Sequence, residues 1–213
     1  MQLRISEIFC SIQGEASRAG LPTVFVRLAG CPLRCVWCDT EYAFEGGERM
    51  PLSSILEQVA SYRTPHVTVT GGEPLAQPDC HQLMRDLCDA GFDVSLETSG
   101  ALPVEEVDPR VSLVMDLKCP ASGESARNRW QNLSCLAAKD EIKFVIANRD
   151  DYEWSKAKLF EHNLSERVGE VLFSPVEGQL QPAELAGWIV QDALPVRFQL
   201  QLHKILWQDA RGR

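Results

Sequence analysis

The sequence predicts an α/β fold whose mostly parallel sheet curves into an open, partial barrel. Three observations lead there. Apolar stretches of strand character recur along the chain, and segments of helical spacing lie between several of them. Strands alternating with helices imply crossover connections between parallel neighbours. About six βα units are present, too few for an eightfold barrel at its usual length. The expected strands are residues 3–9, 23–28, 66–70, 94–97, 113–117, 141–146, 170–173 and 196–202. Behind Pro51, the residues Leu52, Ile55, Leu56 and Val59 fall at i, i+3, i+4 and i+7, one face of a helix. Cys80, Leu83, Met84, Leu87 and Cys88 repeat that spacing until Gly91 stops it. A further helix covers 183–190, with Pro182 at its start, where a missing N–H costs nothing. Parallel α/β sheets bind ligands at the carboxyl ends of their strands. The unusual residues of this chain cluster there.

The 213 residues suit one domain, 1–213, with no internal repeat, linker or low-complexity tract. A 45% apolar content supplies a core without disulfide help. The net charge of −9 leaves no general basic footprint, which argues against a nucleic-acid substrate. No basic, apolar leader opens the sequence, and no apolar run approaches the roughly 18–20 residues that span a bilayer. The chain reads as cytoplasmic and unattached to a membrane. Of its eight cysteines, five are scattered among apolar neighbours, while Cys31, Cys35 and Cys38 sit within eight residues. In a reduced compartment that grouping points to a metal rather than to disulfides.

Three thiolates on a short loop can each bind one iron of a 4Fe–4S cube and leave the fourth iron open, since fully held clusters use four cysteines. S-adenosylmethionine (SAM) can fill that vacancy through its amino and carboxylate groups. One-electron cleavage of its carbon–sulfur bond then supplies a radical able to take hydrogen from an unactivated C–H. A structural zinc site or incidental core thiols are the alternatives, although structural zinc wants a fourth ligand at paired spacing. Gly71-Gly72-Glu73-Pro74 ends the strand 66–70, and its two glycines let backbone approach a ligand closely. Glu73 or nearby carbonyls can accept from a cationic amine there; an ordinary turn is the other reading. The strand ends that follow carry Glu97-Thr98-Ser99-Gly100 and Asp116-Leu117-Lys118. Near the N-terminus, Gln13, Gly14 and Glu15 offer an amide and a carboxylate to one ligand edge, such as a 2-aminopyrimidinone, unless Glu15 is a surface or capping acid. Arg27 interrupts the apolar run Val24-Phe25-Val26-Arg27-Leu28 and needs a partner. A guanidinium suits bidentate carboxylate binding, and an outward-facing arginine is the alternative.

The spacing C-x3-C-x2-C, with Trp37 just before its last cysteine, resembles the signature of the radical SAM superfamily, and Gly71–Pro74 is similar to its GGEP motif. The segment Ser11-Ile12-Gln13-Gly14-Glu15, the strand carrying Arg27, the trio Cys38-Asp39-Thr40 and the closing Gln201-Leu202-His203-Lys204-Ile205-Leu206-Trp207 together resemble the 7-carboxy-7-deazaguanine synthase family. The resemblance spans residues 5–213 and implies a partial, incomplete radical SAM βα barrel. It implies a lyase that contracts 6-carboxy-5,6,7,8-tetrahydropterin to 7-carboxy-7-deazaguanine with loss of ammonia, in queuosine and 7-deazapurine biosynthesis. The implied cofactors are a 4Fe–4S cluster on Cys31, Cys35 and Cys38, SAM, and Mg²⁺ on Thr40. SAM would meet Trp37, Cys38, Asp39, Gly72, Glu73, Glu97, Ser99, Asp116, Leu117, Lys118, Phe173, Ser174, Pro175 and Val176. The pterin would meet Ile12, Gln13, Gly14, Glu15, Arg27 and Thr70, with His203 reaching it from the last strand. A flavodoxin or ferredoxin-type electron donor and a homodimer are implied as partners. Two departures stand out: some relatives insert residues between the first two cysteines, and the tail runs past the QLHKILW segment to Arg213. A glycyl-radical-enzyme activase shares the cysteines and GGEP but gives no reason for SIQGE or Arg27. A zinc or iron–sulfur binding module gives none for Gly71–Pro74.

Overall fold

The computed structural model describes residues 1–208 and 210–212. Asp209 and Arg213, and with them any role of the terminal residue, lie outside the described residues. Among the described residues nine strands form one sheet: β1 (Gln2–Ile12), β2 (Pro22–Leu28), β3 (Glu48–Pro51), β4 (His66–Gly71), β5 (Asp93–Thr98), β6 (Ser112–Asp116), β7 (Glu141–Ile146), β8 (Glu170–Pro175) and β9 (Arg197–Phe198). Their spatial order is β3-β1-β2-β4-β5-β6-β7-β8-β9. Every pairing from β2 to β9 is parallel, whereas β1 runs antiparallel to both β2 and β3. The two outermost strands do not pair with each other, so the barrel is open.

The helices are α1 (Leu52–Ala60), α2 (Cys80–Asp89), α3 (Arg149–Glu161), α4 (Leu164–Arg167), α5 (Pro182–Gln191) and α6 (Leu202–Trp207). The apolar stripes expected for α1 and α2 are buried: Ile55 and Val59, then Leu83, Met84 and Leu87, pack on Val24, Val26, Val67, Val69 and Leu96 of the sheet. A second apolar cluster joins Ile142, Phe144 and Phe173 to Tyr152 and Leu159 of α3 and to Leu185 and Ile189 of α5. With both ends of the sheet padded on one side, its other side is free to line a cavity.

Two expectations need correction. The alternating run 196–202 reads as a strand, but only Arg197 and Phe198 pair with β8. Gln199 instead turns inward, accepts from the Ala16 N–H at 2.7 Å and donates to the Ala16 carbonyl at 3.0 Å. The Leu202 N–H then reaches the Gly14 carbonyl at 3.0 Å and α6 begins. His203 therefore approaches from a helix, not from the last strand. The segment 48–51 escaped notice because Glu48-Arg49-Met50-Pro51 has neither apolar alternation nor β-branched residues, yet it pairs with β1 as an edge strand. Proline at such an edge lacks no ladder partner.

The loop after β1 crosses the open side of the sheet and ties its two halves together. Gln13 reaches Thr68 and Glu97, Ser17 reaches Glu141, and Ala16 reaches Gln199. On the far side, α3 starts at Asn148, whose side chain accepts from the Asp151 N–H at 2.9 Å. The buried Asp151 carboxylate accepts in turn from the Ala121 N–H at 2.9 Å and the Ala147 N–H at 3.1 Å. Asp151→Ala strands both donors, and each unsatisfied buried group costs about 1–3 kcal/mol. A lowered thermal midpoint is expected, with unchanged substrate KM. An unshifted melt would show that water or relaxed loops replace the carboxylate.

Candidate active site

A cavity of about 720 Å³ opens over the carboxyl ends of the parallel strands, well within the range of small-molecule sites. Its wall contains Ile12, Gln13, Gly14, Glu15, Arg27, Cys31, Cys35, Trp37, Cys38, Asp39, Thr40, Thr70, Gly72, Glu97, Ser99, Asp116, Lys118, Val176 and His203. The structure thus brings together nearly all the residues singled out from sequence. Glu73, Leu117, Phe173, Ser174 and Pro175 are the exceptions, all buried behind that wall.

The cysteine loop leaves β2 through Gly30. All three thiols are unpaired and half-buried. Burial pushes their pKa values up, that of Cys35 to about 11. Thiols placed this way become thiolates only with a cationic partner, which iron supplies. Among the described residues no three His, Cys, Asp or Glu side chains are grouped to hold one metal ion. Cys31, Cys35 and Cys38 all line the cavity, where each can offer one sulfur to an iron of a cube.

The Gly71–Pro74 turn is docked onto this loop. The Glu73 N–H donates to the Gly30 carbonyl at 2.8 Å. A Cβ on Gly72 would lie 2.4 Å from that carbonyl oxygen and 2.6 Å from Cys31 Cβ. Glu73 itself is fully buried, and its carboxylate accepts from Leu75 N–H, Thr98 Oγ1, and the N–H and hydroxyl of Ser99. With its oxygens so engaged, Glu73 fixes the β5 end and leaves the turn's backbone and Ser99 to face the cavity. Asp116 supplies a different opportunity. Its Oδ2 pairs with Lys118 at 3.0 Å, while its Oδ1 is buried with no partner among the described residues. An unpaired acceptor at a cavity wall fits a ligand hydroxyl or ammonium, as SAM carries.

At the other end of the cavity, Glu15 and Lys143 form a buried ion pair. Burial alone would raise the Glu15 pKa, but Lys143 first and His203 second outweigh it and hold Glu15 below its ordinary 4.5. Lys143 is held above its ordinary value by Glu15, Asp116 and Glu97, against the opposing pull of burial. Glu97 goes the other way. Burial and the nearby Glu15 charge push it up, although Lys143 and the Gln13 amide, 3.0 Å away, oppose the shift. Gln201 donates to the second oxygen of Glu15. Thr70 donates to Glu97 at 3.2 Å. Gly14 packs so closely on His203 that a Cβ there would lie 2.2 Å from its Nδ1.

Near the cysteines, the Thr40 hydroxyl donates to Asp39 Oδ1 at 2.7 Å. These hard oxygens fit a Mg²⁺ that keeps most of its waters. His203 and Lys204 lie 3.9 and 3.6 Å from Asp39 Oδ2, so α6 leans over the cysteine loop. Arg211 stacks on Tyr42 at 4.1 Å and extends that cover.

Arg27 has its carboxylate partner already, for Glu7 Oε1 accepts from its Nε at 2.7 Å. Sequence reading missed Glu7, Tyr42, Lys143 and Gln201. Lys143 was detectable by the signal that exposed Arg27, a charge inside the apolar run Glu141–Ile146.

A model of the radical SAM superfamily matches residues 25–113. A 7-carboxy-7-deazaguanine synthase of Chlorobaculum tepidum is 48% identical over 215 residues, covering 99% of this chain and 97% of that protein. One from Koribacter versatilis is 42% identical, covering 96% and 97%. The crystal structure of QueE from Escherichia coli aligns with a TM-score of 0.77 and 25% identity over 94% of each chain.

Proposed function

Because this chain belongs to the 7-carboxy-7-deazaguanine synthase family, we propose that its cavity binds 6-carboxy-5,6,7,8-tetrahydropterin beside SAM and releases 7-carboxy-7-deazaguanine and ammonia. It is a radical SAM enzyme. The observation that carries the reading is that one cavity joins the cysteine loop, the Gly71–Pro74 turn and the Gln13–Glu15, Arg27 and His203 side chains.

Cys31, Cys35 and Cys38 hold the 4Fe–4S cluster. When bound, the cluster and SAM together supply one-electron cleavage and a radical that takes hydrogen from the pterin. The chain's residues do the rest. Backbone at Gly72, with Ser99, Asp116 and Lys118, orients SAM's polar groups against the cysteine loop. Trp37, Asp39 and Val176 border it, while Glu73 and the buried 173–175 segment of β8 set that wall from behind. Glu15, kept ionised by Lys143, accepts from the 2-amino and ring N–H edge of the pterin, and the Gln13 segment with Ile12 frames it. Arg27 receives the carboxylate, and Thr70 and His203 close the sides. Thr40 would hold Mg²⁺ when it is bound.

The chain works as one radical SAM domain in a homodimer, takes its electron from a flavodoxin or ferredoxin-type protein, and operates in the cytosol. Free thiols at all eight cysteines suit that compartment. Among the described residues no helix is long and apolar enough to cross a membrane. A protein-backbone substrate, as an activase would need, has no use for the buried Glu15–Lys143 pair.

The test is anaerobic incubation with reductant, SAM, Mg²⁺ and 6-carboxy-5,6,7,8-tetrahydropterin. Product with the ultraviolet spectrum of 7-carboxy-7-deazaguanine is expected, dependent on reductant and SAM, with about four irons per chain. Product formed without SAM, or a protein holding one zinc, would overturn the assignment.

A further inference from the structure

Arg27 sits in a frame that neither its own strand nor the expected substrate explains. Between Ile5 and Glu7 the β1–β2 register slips by one residue: Ile5 faces Leu28, yet Glu7 faces Arg27. Continued without the slip, the ladder would place Ser6 opposite Arg27 and Glu7 opposite Val26. A bulge of this kind re-aims a side chain and recurs beside active sites. Here it brings Glu7 onto Arg27.

Glu7 Oε1 then accepts twice, from Arg27 Nε at 2.7 Å and from the Tyr42 hydroxyl at 2.7 Å. The guanidinium carbon lies 6.0 Å from the ring centroids of both Phe9 and Tyr42. Among the described residues only Glu7 accepts from Arg27. All four side chains line the cavity, and those of Arg27 and Glu7 are only 16% and 20% exposed.

We propose that Glu7 and Tyr42 are positioning residues: held by the β1 bulge, they engage Nε of Arg27 and reserve its two Nη groups for the carboxylate of the ligand, which sets selection for a carboxylated pterin over the bare ring. The geometry follows from the fork of five donors on a guanidinium. One carboxylate oxygen on Nε leaves the end-on pair free for a second, bidentate carboxylate. The Tyr42 hydrogen bond keeps Glu7 from rotating to take that pair itself. This proposal rests on the reading of Arg27 as the carboxylate site.

The test compares two ligands that differ by the carboxylate alone, 6-carboxypterin and pterin, titrated calorimetrically into the anaerobic, cluster-loaded enzyme with SAM and Mg²⁺. Arg27→Ala should weaken 6-carboxypterin by about tenfold to a hundredfold and leave pterin nearly unchanged, as expected for a lost charged hydrogen bond. Glu7→Gln should weaken 6-carboxypterin by about tenfold, and Tyr42→Phe by about threefold, again sparing pterin. In turnover both should raise KM for the carboxytetrahydropterin more than they lower kcat. Tyr42→Phe deletes a single hydroxyl from a half-buried side chain, so it reports even if Glu7→Gln folds poorly. If Arg27→Ala shows the selective loss but Glu7→Gln and Tyr42→Phe weaken both ligands alike or neither, Glu7 only neutralises a charge and the positioning role is wrong. If Arg27→Ala itself is not selective, the carboxylate site lies elsewhere and both readings go.

Discussion

Replacing Lys143 with methionine is expected to cost about 3–5 kcal/mol of stability, the usual effect of removing one partner from a buried ion pair. Substrate KM should rise about tenfold or more with it. Among the described residues, Lys143 is a buried cation that bears on Glu15, Glu97 and Asp116 together. The pH dependence carries the sharper test. In the native protein Glu15 is held below 4.5, so its contribution is complete above that pH and is lost only as pH falls through its folded value. Without Lys143, burial dominates and the folded Glu15 pKa moves above 4.5. The folded state then binds more protons than the unfolded chain, and stability falls as pH rises from 4.5 toward the raised value. Glu97, already pushed up in the native protein, moves further the same way. The gap in thermal midpoint between native protein and Lys143→Met should therefore be wider at pH 8 than at pH 5. A gap that stays constant would mean the lysine fills space and balances nothing.

The same lysine shows where sequence reasoning reaches and where it stops. Motifs made of adjacent residues are legible: the cysteine triad, Gly71-Gly72 and residues 12–15 of the SIQGE segment line one cavity. Helices with an apolar stripe, such as α1 and α2, are legible for the same reason. What fails is anything set by distant partners. The inward face of α3 consists of Asp151, Tyr152, Ser155 and Leu159, and two polar members erase the period on which a helix is recognised. The run 196–202 alternates as a strand should, but Gln199 finds a better partner in the Ala16 backbone, 183 residues away. Glu7 looks like an ordinary solvent-facing strand acid until a bulge turns it onto Arg27. A lysine at a strand end ordinarily points to solvent, yet the Lys118 side chain is 19% exposed and paired with Asp116. Each of these outcomes belongs to tertiary contacts, which local propensity does not encode.

Gly72→Ala should abolish most activity while leaving the fold standing. The added methyl would lie 2.4 Å from the Gly30 carbonyl oxygen and 2.6 Å from Cys31 Cβ, both unmovable without shifting the cysteine loop. The neighbouring Gly71 has a φ of +157°, which L side chains rarely adopt, so a substitution there adds backbone strain to a clash with Leu28. At Gly72 no such strain confuses the result, and the close approach alone is tested. Overpacking of this size costs about 1–3 kcal/mol. The larger effect is on the chemistry. The bond from the Glu73 N–H to Gly30 ties the turn to the loop, so the clash moves the cavity-facing backbone away from Cys31. A displacement near 1 Å between reacting groups lowers the rate by about a hundredfold. Gly187→Ala is the matched control: it lies in α5 with nothing within 4 Å of the new methyl, and alanine there should stabilise by about 1 kcal/mol. Iron and sulfide content, SAM affinity and product rate, measured on both variants, separate the outcomes. Retained iron with weakened SAM binding and a collapsed rate is expected for Gly72→Ala alone. Full activity in that variant would mean that the turn and the cysteine loop adjust freely to one another, and that contact between them does not set where SAM lies.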